Sequence, residues 1–388
     1  MKKQRCGIFL AVFLSAPFLL GAQQETRTGL YEIIPGIGAE NAAPGFMKEM
    51  ELRFNVYNRL FRFDPSLLPS PLRVRIFADK QAYDSYIFER LGDTRPGALY
   101  LHYNQADRRE MVVHLGSAET APMLAHQAFI QYLRAFVPNP PSWMREGFAI
   151  YFSTLRIIPP ETVDYEENLF WLETVKSMGT RLPPVNTLLL ADIAGHPQLS
   201  SEEFQIASWA LVSFMLNSGW EYFRSLTESF MLLSPSAQTG ENSQTIIQRL
   251  SLWNNLDTMT GDLRNYLAGR KTFRELMDYG HSAYSLGDFY NAELSFLEAL
   301  NQRPSDFAPY YYLGLLYYEG KDYASAELYY LASLERGADE ALINYALGIN
   351  AMSAARRDDA VNYLQKAAAL DPARYRTRVE DLIRRIEG

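Results

Sequence analysis

Three glycines, Gly280, Gly314 and Gly348, recur at a step of 34 residues, and no other feature of the 388-residue chain restricts its fold as tightly. Ala292, Ala326 and Ala360 keep the same step, as do Ala299, Ser333 and Ala367. Pro304 and Pro372 fall two steps apart. A period of about 20 to 50 residues marks a stack of like units, each burying a face on its neighbours. Three small-residue positions in one register leave little room for coincidence.

The spacing and the residue set resemble the tetratricopeptide repeat, in which each unit is a hairpin of two helices. The resemblance implies an all-α solenoid of three repeats over 271–374, with a capping helix over 375–388. The small residues let paired helices approach closely. Leu276 with Tyr279, Tyr310 with Leu313, and Leu347 are expected to fill the seam, and the prolines to close the second helices. Arg374 to Ile386, charged on most faces, suits the polar end that a solenoid needs. The resemblance further implies a groove lined by the first helices. Its residues would be Met277, His281 and Tyr284, then Tyr311, Leu315 and Tyr318, then Tyr345, Ile349 and Met352. Aromatic and methionine side chains are favoured at protein interfaces, so a protein or peptide partner is expected there. The alternative is that these side chains pack within the fold.

The start of the chain reads as an export signal over 1–22. Lys2, Lys3 and Arg5 precede an apolar run from Gly7 to Leu20, and Gly21 and Ala22 supply small residues for cleavage. Such a run is short for a bilayer span, which needs about 20 residues; an N-terminal anchor is the competing reading. No later stretch is apolar enough to span, so no transmembrane segment is expected in the mature chain. The expected location is the periplasm or the extracellular space. Cys6 is the only cysteine and lies in the leader, so the mature chain has no disulfide, thiolate nucleophile or Cys-zinc site. Removing a leader with three cations and no acid takes the formal charge from −8 to −11. That balance, with no basic run interleaved with aromatics, argues against nucleic acid as a partner.

Residues 26–118 mix two periods. Leu72 to Phe77 alternates apolar and basic residues, as a half-buried strand does; 97–101 and 111–115 read as further strands, and Phe46 to Phe61 has helical spacing. From about 120 to 270 the pattern is helical. One helix carries Met123, Leu124, Ala128, Phe129, Leu133 and Phe136 and stops at Pro138. Another starts at Trp143, and Phe204–Leu216 and Leu252–Leu267 are further candidates.

Within this stretch lies an incomplete metal motif. His-Glu-x-x-His on a helix places two imidazoles one turn apart on a zinc ion and a carboxylate to take a proton from bound water. Here the five positions read His126-Gln127-Ala128-Phe129-Ile130. Pro141-Ser142-Trp143-Met144-Arg145-Glu146-Gly147-Phe148-Ala149-Ile150-Tyr151-Phe152 resembles the P-x-W-x-x-E-G-x-A-x-Y-F segment of the gluzincin-like (peptidase MA-like) metallopeptidase superfamily. Tyr83–Tyr86, Ala207–Val212 and Asp262–Leu267 add diffuse likeness, so the resemblance covers about 26–270 and implies an α+β zincin-like domain, a small mixed sheet plus helices, over 23–270.

By that resemblance His126 stands at the first ligand and Glu146 at the third. Gln127 stands at the general base, where an amide accepts no proton near neutral pH. Ile130 stands at the second ligand and has no donor atom. The positions are therefore vestigial: no catalytic residue, no metal and no cofactor are expected. A weak two-ligand zinc site at His126 and Glu146 is the remaining alternative. Without metal, His126 is expected to hydrogen-bond Glu146 as a buried pair. His102, His114, His196 and His281 show no metal spacing. The sequence thus reads as an exported, non-catalytic interaction protein, with an active zinc peptidase of non-standard ligand set as the rival.

Overall fold

The computed structural model describes residues 29–36, 38–116, 120–158, 162–165, 167, 169–191 and 195–387. The export signal, with Lys2, Lys3, Arg5 and Cys6, lies outside the described residues. The chain divides into two compact units, Met1–Gly269 and Arg270–Gly388.

In the first unit four strands form a mixed sheet: β1 (Tyr31–Pro35), β2 (Leu72–Phe77), β3 (Ala98–Leu101) and β4 (Glu110–His114), in the order β1-β2-β4-β3. The first three in that order are parallel, and β3 runs antiparallel to β4 at the edge, with Tyr100 opposite Met111. Parallel neighbours need crossovers. These are α1 (Ala43–Phe61), between β1 and β2, and α2 (Lys80–Leu91), between β2 and β3. The alternation in β2 buries Leu72, Val74 and Ile76 and leaves Arg73 and Arg75 at the surface boundary. One face of the sheet, with Val74, Ile76, Met111 and Val113, joins the main core. The other, with Phe77, Leu101 and Val112, is covered by Tyr83 and Ile87 of α2.

The main core is helical. Two helices carry the motif residues, α3 (Thr120–Phe136) and α4 (Ser142–Tyr151). A hairpin of β5 (Arg156–Ile158) and β6 (Thr162–Asp164) follows, then α5 (Leu172–Met178), α6 (Val185–Leu189), α7 (Ser201–Asn217), α8 (Trp220–Phe230), α9 (Thr239–Ser251) and α10 (Leu256–Gly269). The helix expected over 252–267 begins at Leu256, because α9 occupies the chain up to Ser251. Helix α7 is apolar nearly all round and is the buried centre of the unit. It opens with a reciprocal cap: Ser200 Oγ accepts from Glu203 N–H, and the Glu203 carboxylate accepts from Ser200 N–H. Helix α4 crosses it at Gly147. A Cβ there would lie 2.4 Å from the Ser208 carbonyl oxygen, so only glycine permits this approach.

The second unit is a stack of helical hairpins: α11 (Phe273–Ser285) with α12 (Phe289–Gln302), α13 (Phe307–Glu319) with α14 (Tyr323–Glu335), and α15 (Glu340–Ser353) with α16 (Arg357–Leu370), closed by α17 (Pro372–Glu387). The 34-residue step has a concrete cause. In each hairpin the glycine of the first helix receives a large side chain of the second. A Cβ on Gly280 would meet the Phe296 ring at 2.5 Å, one on Gly314 the Tyr330 ring at 2.5 Å, and one on Gly348 Leu364 Cγ at 2.7 Å. Ala292, Ala326 and Ala360 are buried in the same seams.

Two expectations need correction. Tyr279 is 46% exposed, with the Lys271 ammonium 4.2 Å from its ring centre, so the seam of the first hairpin is built on Leu276 without it. Pro372 does not close α16 but opens α17, where its missing N–H costs no helical bond. Helix α17 is charged on most faces and turns one apolar stripe inward, with Tyr375, Val379 and Ile386 buried against the last hairpin.

Candidate functional site

His126 and Gln127 sit midway along α3, which lies against the sheet beside the edge strand β3. Gln127 bridges the two elements. Its Oε1 accepts from Tyr100 N–H at 3.1 Å, and its Nε2 lies 3.3 Å from His126 Nδ1. An amide can accept on one side and donate on the other at once; a carboxylate offers only acceptors. The amide therefore matches a neutral His126, whose pKa is lowered by burial and by Arg145, with Glu146 opposing.

Glu146 is held differently from expectation. One carboxylate oxygen accepts from Arg145 Nε at 2.7 Å, and the other accepts from Gln205 Nε2 at 3.0 Å. Gln205 is on α7, one turn before Ser208, so the close crossing at Gly147 delivers it. Among the described residues no hydrogen bond joins Glu146 to His126, on which it acts through its charge. Ile130 is half-buried against the core one turn after His126.

The surroundings are cationic. Arg134, two turns along α3 from His126, has no hydrogen bond or ion pair through its side chain among the described residues. Burial and the neighbouring Arg145 lower its pKa to about 10, with Arg109 adding to the effect. His102, just past the end of β3, has its Nδ1 3.4 Å from Tyr100 Oη. Burial, with Arg134, Arg109 and Arg145 nearby, pushes its pKa down to about 4. Three arginines thus gather around one carboxylate and two neutral imidazoles. Among the described residues no three His, Cys, Asp or Glu side chains come together as a metal-ligand set. A dication would also face the arginines, so the residues present do not fit zinc.

Sequence reading found His126, Gln127, Ile130 and Glu146 but missed Arg134, Arg145, His102 and Gln205. Arg134 was within reach: eight residues beyond His126 is the same helix face. Gln205 was not, because nothing local links it to Glu146.

In the second unit the nine expected groove residues all lie on the first helices, α11, α13 and α15. Met277 is buried and the other eight are half-buried. Several are spent on holding hairpins together. The His281 and Tyr312 rings are 4.1 Å apart, Tyr318 Oη lies 3.1 Å from Ser353 Oγ, and Tyr345 stacks on Tyr375 at 4.8 Å. Tyr311 packs against Tyr312 and Tyr330. Ile349 belongs to none of the packed apolar clusters and is half-open to solvent.

No family model matches the chain, and no curated protein matches it. Solved structures similar to part of it are tetratricopeptide domains. The first TPR of Spaghetti (RPAP3) bound to HSP90 peptide SRMEEVD is 14% identical and covers 30% of this chain and 90% of its own, with a TM-score of 0.28. The Arabidopsis OM64 TPR domain is 15% identical over 29% and 93%, also at 0.28. The N-terminal domain of stress-induced protein-1 (STI-1) from C. elegans is 20% identical over 30% and 94%, at 0.27. The reading of the second unit rests on its own 34-residue geometry. No helix among the described residues is long and apolar enough to cross a membrane.

Proposed function

We propose that the chain is an exported, non-catalytic interaction protein of the cell envelope: a peptidase-derived scaffold without zinc, joined to a tetratricopeptide module that binds protein or peptide. The observation that carries the first half is the state of Glu146. Its two oxygens are committed to Arg145 and Gln205, while Gln127 spends its amide on Tyr100 and His126. Glu146 is thus tied to an arginine and an amide rather than presented to a ligand, and Gln127, an amide, accepts no proton near neutral pH. A small mixed sheet, a helix bearing His126 and a second helix bearing Glu146 support descent from a metallopeptidase. The interaction half is supported by the half-buried aromatic and methionine side chains on α11, α13 and α15.

Two measurements test this reading. After zinc loading and dialysis, the purified protein is expected to retain well under one equivalent of metal and to leave a broad peptide library uncut. One tight equivalent, lost on His126→Ala and accompanied by cleavage, would establish the active peptidase instead. For the module, a photocrosslinking residue at Tyr311 or Ile349 should capture a discrete envelope protein that the same residue at exposed Tyr290 does not. Identical or absent adducts at all three positions would remove the interaction reading.

A further inference from the structure

The first unit contains a cavity of about 190 Å³ at the junction of α1, α7 and α8, lined by none of His126, Gln127, Ile130 and Glu146. Its walls include Val56, Leu60, Phe152, Leu216 and Phe223. The polar atoms on the walls are already satisfied: Tyr165 Oη donates to the Tyr151 carbonyl at 3.0 Å, and Thr227 Oγ1 donates to the Phe223 carbonyl at 2.9 Å within its own helix. An apolar cavity of about 150 Å³ stays dry and accepts one benzene, so this one holds a single ring or a short acyl chain. Apolar body and satisfied walls exclude a sugar or a nucleotide, which would leave buried polar groups unpaired.

The rim is not apolar. Arg59 and Arg62, three residues apart at the end of α1, line the same cavity and are exposed. Neither makes a hydrogen bond or ion pair through its side chain among the described residues. Two like charges at this spacing repel. Arg62 is fixed in place by its left-handed backbone, φ 57°, and by the Asn58 Nδ2 bond to the Phe63 carbonyl at 3.0 Å. Trp220, 68% exposed, borders the opening. An apolar hole with two unpaired guanidinium groups at its mouth complements one kind of small molecule, an apolar body ending in an anion. Guanidinium binds carboxylate in a bidentate fork and loses nothing to burial at a rim.

We propose that this cavity binds a small amphipathic carboxylate, a medium-chain fatty acid or an arylalkanoate, with its tail among Val56, Leu60 and Phe223 and its carboxylate between Arg59 and Arg62. Calorimetric titration of the full-length protein with octanoate, 1-octanol and acetate tests this. Octanoate is expected to bind at least tenfold more tightly than octanol, with acetate undetectable, and to shift a fluorescence component that Trp220→Phe removes. The double substitution Arg59→Gln/Arg62→Gln, at exposed positions, should weaken octanoate at least tenfold and leave octanol unchanged. Val56→Phe should abolish both. If Val56→Phe does not fold, the arginine variant alone decides. Equal binding of octanoate and octanol to the native protein, or octanoate binding untouched by the arginine substitutions, would overturn the proposal.

Discussion

The crossing of α4 on α7 at Gly147 and the hairpin seams at Gly280, Gly314 and Gly348 solve one problem by one device, a glycine that lets a neighbour come closer than a Cβ allows. They differ in what they meet and how often. Gly147 meets backbone, the Ser208 carbonyl group, and occurs once. The repeat glycines meet the side chains Phe296, Tyr330 and Leu364, which themselves recur every 34 residues. A backbone contact cannot adapt, whereas a side-chain contact can shift and be rewritten. The second unit therefore reads as a periodic pattern with a replaceable partner. The first depends on single contacts between distant residues.

This contrast can be broken by substitution. Gly147→Ala should destabilise the first unit by about 2 kcal/mol, an overpacking cost of about 3 kcal/mol for a rigid contact less about 1 kcal/mol of helical gain from alanine. Gly314→Ala should cost the second unit about 1 kcal/mol, since the Tyr330 ring can turn aside. The five tryptophans, at 143, 171, 209, 220 and 253, all lie in the first unit, so urea unfolding followed by tryptophan fluorescence reports it separately from total helicity. Equal losses from the two substitutions would erase the distinction.

Acid should also separate the units. His102 has its pKa pushed down to about 4 and that of His126 is lowered too, so both stay neutral in the fold while the unfolded chain takes up protons below about 6.5. The unfolded state binds more protons in that window, so the stability contribution of His102 is lost as pH drops from about 6.5 to 4. His281, lowered by burial, gives the second unit a smaller version of the same loss. The urea midpoint of the tryptophan signal is expected to fall more steeply with acid than that of total helicity. His102→Gln should flatten it, and an unchanged slope would refute the assignment.

The smallest effect concerns the hairpin turns. Gly287, Lys321 and Ala355 occupy equivalent left-handed positions, with φ of 76°, 62° and 59°. Ala355→Gly should stabilise the second unit by about 0.5 kcal/mol, as relief of the left-handed strain outweighs the added freedom of the unfolded chain. Gly287→Ala should do the opposite, both read from the helicity midpoint.

The same contrast explains what could be read from sequence. The hairpins were legible because glycine and alanine repeat at one step, although the mates Phe296, Tyr330 and Leu364 went unnoticed beside them. The strand at Leu72–Phe77 was legible because its alternation is local. Helices α5, α6, α8 and α9 were not picked out. Around His126, sequence marked Gln127 as a side chain that accepts no proton and Ile130 as one with no metal donor. The partners found there, Arg145 and Gln205 on Glu146 with Arg134 nearby, depend on how α3, α4 and α7 cross. The export signal and the envelope location remain proposals drawn from the leader.

Gln127 also acts on the margin of the sheet. Strand β3 is an outer strand, and Ala98 and Tyr100 turn their backbone groups away from β4. A bare row of such groups is a template on which another extended chain can dock, or on which two copies of a protein can zip together. The Gln127 carbonyl takes the Tyr100 N–H, and a strand added there would have to displace it. The side chain works as a stopper: it guards that point of the sheet margin against stray strands.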